Sequence, residues 1–212
     1  RGETIEDTAR VLGRYIDGIM LRAIKHETLL QMSKYSEIPV INGLTDMSHP
    51  CQALADIMTF EENLGSIKGK KIAWIGDGNN VANSWLHASA IFGCELYLAC
   101  PETRLPSKKA IEWAKNNGGN IEITQDPLSA AKNANAIITD TWISMGENFS
   151  KDPESIFSKY RVDHKIMSIA SKEVIFMHCL PAHRGQEVTA DIIDGPNSVV
   201  WDEAENRLHI QK

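Results

Sequence analysis

The chain has no apolar run close to the roughly 18 residues that cross a bilayer. Its opening, Arg1-Gly2-Glu3-Thr4, lacks the apolar stretch of a secretory leader. Neither a membrane association nor an export signal is expected. Cysteine is scarce: Cys51, Cys94, Cys100 and Cys179 stand far apart, and no Cys-x-x-Cys pair offers a zinc or dithiol site. Basic excess is missing too. Twenty-two Lys and Arg against 28 Asp and Glu leave a net charge of −6, which argues against general nucleic-acid binding and leaves room for one basic anion pocket. Repeats and low-complexity segments are absent, and a composition of 42% hydrophobic and 24% charged residues is that of a globular protein. A chain of 212 residues buries a core without disulfide staples, so free thiols in a reduced, cytoplasmic setting are expected.

What is present is alternation. Thr4 and Asp7 form a capping pair ahead of Ile5, Ala9, Leu12 and Ile16 at helical spacing. A short strand ends at Arg22, a helix covers 27–35, and a second strand covers 39–42. Pro50 suits the first turn of a helix running to Asn63. Strands are then expected at 72–75, 96–99, 121–124, 136–139, 174–177 and 199–201, with helices over 81–92 and 107–117, a short one after Asp126-Pro127, and a last one at the C-terminus. Short apolar runs alternating with helices predict an α/β fold with parallel sheets flanked by helices. Ligands bind such sheets beyond the carboxyl ends of the strands, which directs attention to Arg22, 76–80, 140–146 and 178–185.

Four constellations could carry chemistry. His49, Gln52 and Asp56 share one helix face near an N-terminus, where free N–H groups favour an anion or a polarised carbonyl. A capped surface helix with polar decoration has the same pattern. Gly76-Asp77-Gly78-Asn79-Asn80 resembles a dinucleotide loop, but Val81 occupies the third glycine position, which disfavours a nicotinamide dehydrogenase. Asp140 ends a strand and can hold a substrate ammonium, with Ser144 and Gly146 in the loop behind it; an ordinary turn is the alternative. In His178-Cys179-Leu180-Pro181 the imidazole and thiol are adjacent and point to opposite faces of an extended chain, so metal and cysteine-nucleophile readings are both weak.

Taken together the segments resemble the carbamoyltransferase family. Ser48-His49-Pro50-Cys51-Gln52-Ala53-Leu54-Ala55-Asp56 is similar to its His-Pro-x-Gln-x-Leu-x-Asp helix. Asp140-x-Trp142-x-Ser144-Met145-Gly146, His178-Cys179-Leu180-Pro181, Glu187-Val188-Thr189 and Glu205-Asn206-Arg207 resemble its ornithine branch. The resemblance covers the whole chain. It implies carbamoyl transfer from carbamoyl phosphate to the side-chain amine of L-ornithine, without metal or organic cofactor, in a homotrimer. It further implies that Arg22 and His49 meet the carbonyl oxygen, that Gln52 and the Leu180 carbonyl hold the carbamoyl amide, and that Arg207 and Cys179 reach the same carbamoyl phosphate site. On the other side it implies that Asn80, Asp140, Ser144 and Met145 hold ornithine, with Asp140 and Cys179 beside its amine.

The implied organisation is a partial carbamoyl phosphate domain at 1–48, an interdomain helix at 49–63, a Rossmann-like ornithine domain at 64–201 and a helix at 202–212 returning to the first domain. The family's Ser-x-Arg-Thr phosphate segment does not occur in the 212 residues. The first domain is therefore expected to be incomplete, the final helix cut short, and these residues alone nearly inactive. Rival expectations are carbamoylation of putrescine or an acylated ornithine, and a non-catalytic amino-acid-binding module.

Overall fold

Short apolar runs bounded by glycine or polar turns become strands. The computed structural model, which describes residues 2–144 and 152–212, arranges them in two parallel sheets. Helix α1 (Ile5–Leu12) opens at Thr4, whose Oγ1 accepts from the Asp7 N–H at 3.1 Å. It stops four residues before Ile16, which is exposed. Strand β1 (Ile19–Arg22), helix α2 (His26–Tyr35) and strand β2 (Val40–Leu44) follow, and β1 pairs with β2. The core beneath them is small: Ala9, Ile19 and Met32 are its buried members.

Helix α3 (Pro50–Leu64) then leads into a five-stranded sheet. Pro50 occupies its first turn, and Gly65 ends it at φ +72°. The later elements are β3 (Lys71–Ile75), α4 (Asn80–Phe92), β4 (Glu95–Ala99), α5 (Lys108–Asn116), β5 (Asn120–Thr124), α6 (Pro127–Ala131), β6 (Ala136–Thr139), α7 (Pro153–Phe157), α8 (His164–Ser168), β7 (Ile175–His178), α9 (Ala190–Ile193) and α10 (Val200–His209). The strand order is β5-β4-β3-β6-β7. Successive side chains of β3 alternate between two cores, as pleating requires: Ile72 and Trp74 pack on one face, Ala73 and Ile75 on the other.

The order reverses between β3 and β6, so a crevice opens where the two connections leave in opposite directions. Helices α4 and α10 both lie against α3, bringing the end of the chain back to its middle.

One expected strand is absent. Residues 199–201 do not form a strand: α10 begins at Val200, two residues ahead of the expected boundary at 202. The apolar pair Val199-Val200 has a different origin. The Val199 N–H donates to the Phe176 carbonyl at 3.0 Å, and Val200, Glu203 and Asn206 are the buried stripe of a helix.

Candidate active site

Register alone brings the first pair of side chains together. Thr139 of β6 lies opposite His178 of β7, so the residues that follow, Asp140 and Cys179, leave the sheet side by side. The Cys179 thiol donates to Asp140 Oδ1 at 3.0 Å. The Thr141 N–H donates to the same oxygen at 2.7 Å, and Asn79 Nδ2 donates to Asp140 Oδ2 at 2.7 Å. Burial pushes the Cys179 thiol well above its ordinary range, and the Asp140 charge pushes it further. The sulfur therefore stays protonated near neutrality and is no thiolate nucleophile. Asn79 belongs to the 76–80 loop, whose two asparagines suit hydrogen bonds to a carboxylate or amide, but sequence reasoning did not name it as a site residue. Its Oδ1 caps α4 by accepting from Val81 and Ala82.

The second cluster is built by α3 and α10. His49 is the cap residue of α3, but its ring makes no capping bond; its backbone N–H donates to Ser84 Oγ at 2.7 Å. Gln52 and Asp56, one turn apart, are each 1% exposed. The reading of α3 as a decorated surface helix is thereby corrected. Arg207, one turn from Glu203 on α10, places Nη1 2.8 Å from Gln52 Oε1 and 3.4 Å from His49 Nε2. Burial lowers the His49 pKa to about 4, with the Arg207 and Arg22 charges adding to the fall. The imidazole is thus neutral at pH 7, and with Nε2 facing a guanidinium donor its proton sits on Nδ1. That buried nitrogen has no hydrogen-bond partner among the described residues, nor does Arg207 Nε. Arg22 ends β1, exposed on the same side.

A third residue joins the two clusters. Glu203 Oε1 accepts from Gln52 Nε2 at 2.9 Å, and Glu203 Oε2 accepts from the His178 backbone N–H at 2.8 Å. Sequence reasoning missed Glu203 as well. Its position in the Val200–Asn206 stripe marked it as a buried acid, but only the fold shows its partners.

The loop after β7 is held from beneath. His178 Nδ1 accepts from the Leu180 N–H at 2.9 Å, so Nε2 carries the proton toward Glu187 Oε1 at 3.2 Å. Leu180 itself sits at φ +53°, a backbone state that costs a leucine about 1–3 kcal/mol and is held by surrounding bonds. Donor atoms of Asp140, His178 and Cys179 lie within 4.8 Å of one another, the spacing of a cation site. Both His178 nitrogens are already engaged, so a metal there would have to break one of those bonds.

The Gly76–Asn80 loop does not fit a nucleotide. Asp77 is bound by Arg104 through two contacts of 2.7 Å, and a Cβ on Gly78 would lie 2.3 Å from the Pro106 nitrogen. Asn80 Nδ2 donates to the Thr45 carbonyl at 2.7 Å. Ser144 is half-buried at the end of the segment after β6. Met145 lies outside the described residues.

The chain is similar to known proteins over its whole length. A family model described as aspartate/ornithine carbamoyltransferase, Asp/Orn binding domain, matches residues 68–212. Another, described as the carbamoyl-P binding domain of the same family, matches residues 1–62. An ornithine carbamoyltransferase of Mesorhizobium japonicum is 54% identical over all 212 residues, which span 70% of it. Among solved structures, an ornithine carbamoyltransferase from Pyrococcus furiosus superposes with a TM-score of 0.94 at 52% identity, covering 100% of this chain and 69% of that one. An N-acetyl-L-ornithine transcarbamylase superposes with a TM-score of 0.85 at 32% identity, covering 98% of this chain and 71% of that one.

Proposed function

The chain belongs to the aspartate/ornithine carbamoyltransferase family, and from that premise we propose that it transfers the carbamoyl group of carbamoyl phosphate to the side-chain amine of L-ornithine, giving L-citrulline and phosphate. The observation that carries the assignment of roles is a continuous hydrogen-bonded path from Arg207 through Gln52 and Glu203 to the His178 backbone, and from neighbouring Cys179 to Asp140. Two substrates that must meet face to face need two rigidly related halves, and this path relates them.

The amine attacks the carbamoyl carbon, the carbonyl oxygen gains charge, and the carbon–oxygen bond to phosphate then breaks. His49, with an unpartnered ring N–H, and the guanidinium of Arg22 suit that developing oxyanion; one such donor is worth about 3–4 kcal/mol. Gln52 Oε1 suits the carbamoyl NH2, assisted by the Leu180 carbonyl, and Arg207 suits the donor's negative charge. The nucleophile must be the neutral amine, whose ordinary pKa is about 10.4 like that of lysine. Asp140, held by three donors, suits the incoming ammonium and, with the neutral Cys179 thiol beside it, helps to remove the proton that frees the amine lone pair; the proton lost after attack leaves with the departing phosphate. Asn80, Ser144 and Met145 complete the proposed ornithine side. Direct amine attack leaves no acyl-cysteine.

Residues 1–48 then serve carbamoyl phosphate and 64–201 serve ornithine, with α3 between them. The working assembly is a homotrimer in the cytoplasm. Among the described residues no helix is long and apolar enough to cross a membrane.

The test is a ratio, which holds at any absolute rate: citrulline formed from ornithine against products from putrescine and N-acetylornithine. Ornithine should lead by at least about 100-fold, the discrimination expected when a buried polar partner is left unmatched. Equal use of the three amines would overturn the assignment.

A further inference from the structure

Gln52, Asp56 and Glu203 are each 1% exposed and meet on one amide. Gln52 Nε2 donates to Asp56 Oδ1 at 2.8 Å and to Glu203 Oε1 at 2.9 Å, which uses both of its protons. The other two carboxyl oxygens are also held: Asp56 Oδ2 by the Trp85 indole N–H at 2.9 Å, and Glu203 Oε2 by the His178 backbone N–H at 2.8 Å. Two buried carboxyls in contact cannot both stay ionised, so the pair shares a proton. Burial pushes both above the ordinary carboxyl range, Glu203 the further because the Asp56 charge adds to it.

We propose that Asp56 and Glu203 are a positioning pair that fixes the orientation of the Gln52 amide and ties it to the backbone beneath Cys179. This rests on the carbamoyl-transfer reading and deepens it. The orientation is enforced at both ends. A flipped Gln52 would turn its oxygen toward the two carboxyls and its NH2 toward the Arg207 guanidinium, losing every bond it now makes. In the observed orientation Oε1 faces outward beside Arg207, and its second lone pair is free for an N–H donor. That donor is the NH2 of carbamoyl phosphate. Glu203 is itself anchored, because its other oxygen holds the His178 N–H.

Two ligands separate positioning from general support. Carbamoyl phosphate carries the NH2 that Gln52 would accept from; the phosphonoacetyl amide of ornithine carries a CH2 and no NH2. Glu203→Gln and Asp56→Asn should each weaken carbamoyl phosphate binding by about 10-fold or more, the worth of a buried hydrogen bond. They should leave phosphonoacetyl-ornithine binding within about threefold, since less than 1 kcal/mol is then at stake. In a Gln52→Ala background the same changes should cost nothing further, as expected of residues acting through one group. Equal weakening of both ligands, no weakening of either, or additive costs with Gln52→Ala would overturn the proposal. If Glu203→Gln does not fold, Asp56→Asn decides by the same comparison. If the unaltered chain binds neither ornithine nor phosphonoacetyl-ornithine, the carbamoyl-transfer reading itself fails; if it binds them and the variants do not separate carbamoyl phosphate from phosphonoacetyl-ornithine, only the positioning role fails.

Discussion

Single residues at the crevice carry opposed charges and protons, and their replacements separate the two substrates. Asp140→Asn removes the charge proposed to meet the ammonium and turns an NH2 in place of an acceptor toward either Asn79 or the Cys179–Thr141 pair. It should cripple ornithine use, by about 2 kcal/mol or more for a lost charge-assisted bond, while carbamoyl phosphate binding stays within a few tenths. Titration calorimetry with each ligand reads this directly. Cys179→Ser retains a neutral donor to Asp140 but puts a smaller, non-titrating hydroxyl where the larger buried thiol stood. Weaker ornithine binding and a displaced pH–rate profile are expected, and unchanged profiles would remove the thiol from the amine's environment.

His49 contributes to stability with a definite sign. Its folded pKa of about 4 lies below the ordinary histidine value of 6.5, so its contribution is full above pH 6.5 and is lost as pH falls toward 4. The loss amounts to at most about 3 kcal/mol, from 1.36 kcal/mol per unit. The Asp56–Glu203 pair, raised by burial, works in the other direction: its contribution is full at low pH and fades as pH rises and the shared proton is lost. The stability difference between the unaltered chain and His49→Asn, from urea unfolding at pH 7 and pH 5, isolates the histidine. It should shrink at pH 5.

At the scale of elements, the sheet and its crevice are largely legible in the sequence, because Ile72–Ile75, Leu96–Ala99 and Ala136–Thr139 are uninterrupted apolar runs between turn residues. Helices α7, α8 and α9 are not legible: four or five residues make little more than one turn, too short for a periodic stripe. Val199-Val200 misleads for the converse reason, since two β-branched residues suit a strand until the buried stripe Val200, Glu203, Asn206 is seen. The candidate site divides the same way. His49, Gln52, Asp140 and Cys179 stand in local motifs, whereas Glu203 joins Gln52 across 151 residues, a separation that periodicity does not bridge. The turn from β3 to α4 is an element with no slack. Gly78→Ala would place a methyl 2.3 Å from the Pro106 nitrogen and shift backbone that Arg104 and Asp77 hold. A loss of about 1–3 kcal/mol is expected, read as a lower midpoint in thermal unfolding.

For the molecule as a whole, stability is uneven. The five-stranded sheet carries a packed core on each face, while α1, α2, β1 and β2 close over Ala9, Ile19 and Met32. Local opening costs least where least apolar surface is buried. Backbone amides of residues 5–44 should therefore exchange with solvent deuterium well before those of β3, β4 and β6; uniform exchange would contradict this. The proposed trimer is checked independently by sedimentation equilibrium.

Trp85 finally gives the molecule an optical reporter. Its indole N–H ends on Asp56 in a fully enclosed position, whereas Trp113 and Trp201 face solvent. Quenchers such as iodide silence the outer fluorophores first. Trp74 and Trp142 are buried as well and keep emitting, so the part of the remaining emission that Trp85→Phe removes is expected to follow the electric field at the acid pair and to shift in colour as the crevice fills.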